Sequence, residues 1–145
     1  MGKTKMFFLI LLNLLLPLAI ADIPLEWINC STWTDQLSIE KVEANIWPPK
    51  RNELLTVSVS GVAKESFIYG NYNKTIVYRG YSLPSVFGPL GDLGINLPTF
   101  PGSLKMIIFN STIPEVAPEG QYDIYIKAQE QDHAEILCVK ISWKF

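Results

Sequence analysis

Histidine, cysteine and basic charge are all scarce in this chain of 145 residues. It has one histidine and two cysteines, too few for a Cys₄ zinc site or a disulfide-dense miniprotein. The formal net charge is −2, so a basic surface for nucleic acid is not expected. Charged residues make up 18% and aromatic residues 12% of the sequence, a composition typical of one folded domain and not of a disordered chain.

The common catalytic motifs are also missing. No Gly-x-Ser-x-Gly elbow, His-Glu-x-x-His pair or phosphate-binding loop occurs. His133 ends the polar stretch 129–133, which is interpreted as a hairpin tip, where neither a nucleophile nor a dry pocket is expected. Asp92 lacks the acidic spacing of a calcium loop. We therefore expect no enzyme, no cofactor and no metal.

The longest apolar run stands at the amino terminus. Lys3 and Lys5 precede the run Met6–Ile20, which is shorter than the roughly 20 residues that span a bilayer. Ala19-Ile20-Ala21 has the small-x-small pattern of a signal peptidase site. We predict a signal peptide at 1–21 and a mature domain at 22–145, in the secreted or endolysosomal compartment. An uncleaved anchor is the alternative.

Glycosylation sequons and the two cysteines fit that compartment. The acceptors are Asn29, Asn73 and Asn110, and Asn29 is the weakest because a cysteine follows it. Cys30 and Cys138 are the only possible intramolecular disulfide pair. Two free thiols are the alternative.

Alternating apolar and polar residues predict β-strands through most of the mature chain. Apolar residues of one parity recur at 55–63, 122–128 and 137–143, and further strands are expected at 67–72, 75–81 and 106–113. Within 37–46 the parity changes near Glu40-Lys41, which predicts a β-bulge. With turn signals between the strands, the pattern favours an all-β antiparallel sandwich over a closed β-barrel.

The sequon at Asn110 also predicts how its strand faces. If Asn110 carries a glycan, its side chain points to solvent. Ile107, Phe109 and Ile113 have the opposite parity and are therefore expected to point inward.

The stretch 82–102 is rich in proline, yet it is apolar throughout. Loops of this length are usually functional or disordered. Two interpretations remain open: an exposed rim around an opening between the sheets, or a lid folded over the core.

Taken together, several segments resemble the ML (lipid-recognition) domain, most closely its phosphatidylglycerol/phosphatidylinositol transfer protein branch. The most specific are the run Ser111-Thr112-Ile113-Pro114-x-x-Ala117-Pro118-x-Gly120-x-Tyr122 and the terminal Cys138-Val139 strand. The others, in chain order, are Cys30, Trp47-Pro48-Pro49, Leu55-Thr56-Val57, the segment 68–72 and Gly94-Ile95-Asn96-Leu97-Pro98.

The resemblance implies an immunoglobulin-like sandwich whose two sheets hold a lipid between them. It also implies a Cys30–Cys138 bond, while a second disulfide of the family is missing because Leu97 replaces its cysteine. The candidate lipid-cavity residues are Val57, Val59, Phe67, Val77, Tyr81, Phe87, Phe109, Ile113, Tyr122, Ile124, Ile126, Leu137, Val139 and Ile141. Periodicity indicates only that they face a core, and the cavity follows from the resemblance.

If the domain binds a lipid, some charged and aromatic residues are candidates for contact with the headgroup or the membrane. Arg79, Lys74 and Lys105 are candidates to meet a headgroup phosphate near the rim, and a solvated surface charge is the favoured interpretation of each. Phe87 and Phe100 are candidates for transient contact with a membrane surface during exchange.

Four functions compete at this stage. The favoured one is a monomeric carrier that moves phosphatidylglycerol or phosphatidylinositol between membranes. The others are a sterol carrier of the same fold, an adaptor that presents a lipid to a receptor or hydrolase, and a filled sandwich that binds another protein.

Overall fold

The computed structural model describes residues 24–31 and 36–145, so the predicted signal peptide lies outside the described residues. Within them, almost all regular structure is β. The strands are β1 (Glu26–Asn29), β2 (Leu37–Ala44), β3 (Leu54–Ala63), β4 (Gly70–Tyr78), β5 (Tyr81–Ser82), β6 (Val86–Pro89), β7 (Gly102–Thr112), β8 (Gln121–Glu130) and β9 (Glu135–Lys144). One short 3₁₀ helix spans Leu90–Leu93.

The strands form two antiparallel sheets. The larger has the order β1-β9-β8-β4-β5, and β6 also pairs with β4. The smaller has the order β2-β3-β7. Their inner faces supply the core, for example Val57 and Val59 from the small sheet and Ile124 and Ile126 from the large one, all at most 1% exposed. The prediction of an antiparallel β-sandwich is confirmed.

Two bulges decide which residues reach that core. The register between β2 and β3 shifts between Ile39 and Lys41, as the parity change near Glu40-Lys41 predicts. A second shift lies between β3 and β7, where Val57 pairs with Phe109 but Ser58 pairs with Ile107.

The second bulge overturns one facing prediction. Phe109 and Ile113 are buried as expected, but Ile107 is 39% exposed, and the bulged Ile108 is buried instead. The extra residue shifts the alternation by one on its amino-terminal side. The alternation counted from Asn110 therefore predicts the facing of Phe109 and Ile113, but not of residues on the amino-terminal side of the bulge.

Strand boundaries differ from the sequence prediction around β4. The two strands expected at 67–72 and 75–81 are one continuous strand, Gly70–Tyr78. Phe67 precedes it and is held by a separate contact, in which its amide donates to Oγ1 of the buried Thr99 at 3.0 Å. The strands β1 and β6 were not anticipated, because both are only four residues long.

Both interpretations of the stretch 82–102, an exposed rim and a lid over the core, apply to different parts of it. Its amino-terminal part forms β5 and β6 along the edge of β4. Its centre turns back onto the core, where Leu90, Leu93 and Ile95 are buried. It is thus an exposed edge at one end and a core cover in the middle.

Cys30 and Cys138 form a disulfide with a Cα–Cα distance of 5.0 Å. The bond adds to the pairing of β1 with β9, since the Cys30 amide donates to the carbonyl of Cys138 at 3.0 Å. It closes a loop with a sequence separation of 108 residues. The chain segment before the first long strand is thereby attached to the last strand.

Candidate ligand-binding site

An apolar cavity of about 410 Å³ opens between the two sheets. It lies between β4 of the large sheet and β7, the edge strand of the small sheet. Its rim is formed by the loop that follows β7, where Val116 is 87% exposed. The residues lining it are Ile76, Leu83, Phe109, Ser111, Thr112, Ile113, Pro114, Val116, Ala117, Pro118, Tyr122, Trp143 and Phe145.

Stacked aromatic rings build the inner wall of this cavity. The rings of Tyr122 and Trp143 are nearly parallel, with centroids 5.3 Å apart. Phe145 meets both rings edge-on, at 5.6 Å and 6.3 Å between centroids. The wall is therefore apolar and held by packing on several sides.

Hydrogen bonds to backbone carbonyls anchor the rim loop, residues 114–119. Arg51 Nε donates to the Ala117 carbonyl at 2.9 Å, and the Tyr122 hydroxyl donates to the Pro118 carbonyl at 2.8 Å. Glu119 receives two bonds at its carbonyl, from the Tyr78 hydroxyl and from Arg79 Nη2. Three consecutive carbonyls of the rim loop are thus held by side chains from other parts of the chain.

A second cavity of about 250 Å³ adjoins the first and shares Phe109 with it. It is more polar, because Lys74, Asp92 and Asn110 belong to its lining. The ammonium group of Lys74 lies 5.0 Å from the centre of the Phe109 ring on the opposite sheet. Burial lowers the pKa of Lys74 below its ordinary value of 10.5.

A groove of about 630 Å³ lies on the outer face of the large sheet. Val77, Tyr125 and Lys127 line it beside the disulfide. Its lining mixes polar and apolar groups, and its residues lie on the outer face of β4 and β8, away from the core. The space between the sheets is therefore the better candidate for an apolar ligand.

The fourteen predicted cavity residues fall into three groups. Phe109, Ile113 and Tyr122 line the apolar cavity. Eight others are buried in the core without lining it: Val57, Val59, Phe67, Ile124, Ile126, Leu137, Val139 and Ile141.

The remaining three, Val77, Tyr81 and Phe87, do not face the interior, so their expected orientation is wrong. Val77 lines the outer groove because the inner face of β4 carries Lys74 and Ile76 instead. The prediction assumed that apolar residues point inward and charged residues outward, and Lys74 is an exception to this rule. Tyr81 and Phe87 are 77% and 72% exposed, since β5 and β6 lie at the sheet edge.

Several cavity residues escaped the prediction. Trp143 and Phe145 come from the carboxyl end, and Trp143 shares the inward parity of Leu137, Val139 and Ile141. Pro114 and Ala117 belong to the run that carries the family resemblance. Strand alternation does not select them, because the loop geometry brings them to the cavity.

The other predicted sites occupy varied positions. Asn29 and Asn110 are exposed, whereas Asn73 is half-buried on the outer face of β4. His133 lies exposed in the turn between β8 and β9, with a φ of 67°. Within residues 24–31 and 36–145, no three His, Cys, Asp or Glu side chains are grouped so that they could hold a metal ion.

A family model described as the ML domain matches residues 24–145. The chain belongs to the ML domain family. This match covers all the described strands. Over the part of the chain that the structure describes, no helix has the length and apolar character to cross a membrane.

Relatives of this ML domain have names that refer to lipid transfer. A Dictyostelium discoideum protein named "Putative phosphatidylglycerol/phosphatidylinositol transfer protein 2" is 30% identical and aligns over 97% of each chain. Another from the same organism, numbered 3 in that series, is 29% identical over 93% of this chain and 87% of its own length.

Solved structures share the fold of this ML domain. A Niemann-Pick type C2 protein from the Japanese carpenter ant superposes with a TM-score of 0.62 at 14% identity, covering 82% of this chain and 98% of that one. Chicken MD-1, solved in complex with lipid IVa, gives a TM-score of 0.57 at 13% identity, covering 83% and 88%.

Proposed function

We propose that this ML domain carries a phospholipid, with phosphatidylglycerol or phosphatidylinositol favoured, between membranes. The observation that carries the proposal is the open apolar cavity of about 410 Å³ between the sheets. An ordinary sandwich fills this space with side chains. The names of the relatives support a phospholipid as the cargo.

The physical task of such a carrier is to shield acyl chains from water. Burial of each methylene is worth about 0.8 kcal/mol, so exposing a sixteen-carbon chain costs roughly 13 kcal/mol. Contact with Ile76, Ile113 and Trp143 would offset most of that cost. No bond needs to be made or broken, and we propose carriage without catalysis.

The proposed setting is the secreted or endolysosomal lumen, after cleavage behind Ala21. The Cys30–Cys138 disulfide supports an oxidising compartment. Since a lipid must leave and re-enter a bilayer, transient contact of a monomer with the membrane surface belongs to the proposal.

Lipid mass spectrometry on the purified mature protein tests the cargo, combined with a variant that obstructs the cavity. Ser111 lies on the exposed end of β7, shares the parity of Phe109 and Ile113, and lines the opening. Ser111→Trp should reduce bound phospholipid from near one molecule per chain by about tenfold, because the indole occupies the acyl-chain space.

Ser103→Trp is the matched control, since Ser103 is also exposed on β7 but does not line the cavity. It should leave the bound lipid unchanged. Sterol in the extract would replace phospholipid as the cargo. No lipid in the wild-type protein, and no uptake from labelled vesicles, would contradict the carrier function and favour a protein-binding sandwich.

A further inference from the structure

Lys74 is a cation on the inner face of the large sheet. It pairs across β4 and β8 with Ile126, and directly opposed residues of an antiparallel pair point to the same face. Ile126 is fully buried, so the Lys74 side chain starts from the core side. Its ammonium group then reaches the Phe109 ring of the other sheet at 5.0 Å. The lysine thus spans the gap between the sheets.

In the described part of the chain, this ammonium group has an aromatic partner but no carboxylate partner. The ion pairs found there are Lys41–Glu43 and Lys140–Asp123. Asp92 lines the same cavity but is not among the partners of Lys74. A half-buried cation without an anion is unfavourable, and the lowered pKa of Lys74 reflects that burial.

We propose that Lys74 binds the anionic headgroup of the carried lipid and thereby selects anionic over neutral lipids. This inference rests on the proposed carrier function. The group that Lys74 would bind is a singly charged oxyanion. It is either the phosphodiester of a phospholipid or the carboxylate of a fatty acid. A sterol or a diacylglycerol has no such group and gains nothing from the lysine.

The two cavities give the lipid an orientation. The polar cavity with Lys74 and the apolar cavity meet at Phe109, which lines both. A phosphate beside Lys74 therefore leaves the acyl chain to run past Phe109 toward Ile113 and Trp143.

The other two cations suggested by the sequence are placed differently. Arg79 is exposed, and its guanidinium group donates to the Glu119 carbonyl and lies over the Tyr78 ring. Lys105 is exposed on β7 next to the buried Met106, on the outer side. Lys74 alone of the three reaches into the gap between the sheets.

The test compares a charged and a neutral lipid with identical acyl chains. Vesicles containing equal amounts of phosphatidylglycerol and diacylglycerol are incubated with the mature protein, which is re-isolated and its lipids quantified by mass spectrometry. Lys74→Met should lower the ratio of bound phosphatidylglycerol to diacylglycerol about tenfold, as expected for one charge-assisted hydrogen bond. Lys74→Arg should largely preserve the ratio.

Lys105→Met removes an equal charge from the outer surface and should leave the ratio unchanged. A second pair of probes, oleate and oleyl alcohol, identifies the anion. If only this pair depends on Lys74, the headgroup is a carboxylate, and if the phosphatidylglycerol pair depends on it, a phosphodiester is bound.

Two results in the variant would overturn the assignment. One is binding of both the charged and the neutral lipid at the wild-type level in Lys74→Met, for both probe pairs. The other is an equal loss of charged and neutral lipid, which would mean that Lys74 only supports packing. Failure of the carrier function itself is recognised separately, because the wild-type protein would then take up neither lipid.

Discussion

Individual residues decide where a regular pattern is interrupted. Lys74 points between the sheets although it is charged, and Ile107 is 39% exposed although it is apolar. Each departs from the alternation for a specific reason: the first faces an open cavity, and the second lies just before a bulge. At the residue scale, such departures mark the opening between β4 and β7 and not random irregularity.

Glu130 at the end of β8 is another residue whose environment opposes its charge. Its Oε1 atom is buried and has no hydrogen-bond partner in the described part of the chain. Burial, followed by the negative charges of Asp132 and Glu65, raises the pKa of Glu130 above its ordinary value of 4.5, against an opposing contact with Gln36.

This shift predicts a pH dependence of stability. The folded state binds the Glu130 proton more tightly than the unfolded state, so this group lowers the free energy of unfolding as pH rises above 4.5. Glu130→Gln should therefore be more stable than the wild type at pH 7, with the difference shrinking as pH falls toward 4.5. Urea unfolding across that pH range measures it. Destabilisation of equal size at every pH would contradict the prediction.

At the scale of elements, β5 and β6 form an exposed apolar edge beside the cavity opening. Leu83, between these strands, lines the cavity and is 46% exposed. Phe87 pairs with Asn73 and so points to the outer face of the large sheet. Phe100 is 77% exposed and lies next to Thr99, which is bonded to Phe67 before β4 begins. Both phenylalanines are thus available to a membrane interface.

Replacing both phenylalanines by aspartate tests this contact. Phe87→Asp with Phe100→Asp should slow phospholipid transfer between vesicles severalfold, because aspartate is repelled from an apolar interface. Thermal stability should change little, since both side chains are mostly exposed. Lipid transfer by fluorescence dequenching is the measurement. The matched control is Ile28→Asp, an exposed apolar residue on β1 at the other edge of the sheet. Equal slowing in the control, or unchanged transfer in the double variant, would remove this role.

For the whole molecule, the disulfide links the two ends of the described chain. Cys30 follows β1 and Cys138 lies in β9, so the bond encloses every other strand. Closing a loop of this size is worth up to about 4.7 kcal/mol in the chain-entropy model. The bond also lies on the outer face, beside Val77 and Lys127, away from the apolar cavity.

Removing the bond should accordingly affect stability and not binding. Cys30→Ser with Cys138→Ser should lower the free energy of unfolding by about 2–5 kcal/mol, measured by guanidinium unfolding. Under conditions where the variant stays folded, its lipid content should match that of the wild type. Loss of lipid from a folded variant would show that the disulfide shapes the cavity.

The sequence by itself determined the fold class, the main strands and the inward parity of β8 and β9. It did so because successive side chains of a strand point to opposite faces, so a half-buried strand alternates between apolar and polar residues. The bulge near Glu40-Lys41 was visible for the same reason, since a parity change occurs within a single strand.

Only the tertiary structure decided which inward residues line the cavity and which pack against each other in the core. Ile124 and Phe109 both face the core, yet Phe109 lines the opening and Ile124 does not. That distinction depends on the spacing of the two sheets and on where the rim loop and the carboxyl-terminal aromatic residues are brought together. These are contacts between residues far apart in the chain, and alternation along one strand carries no information about them.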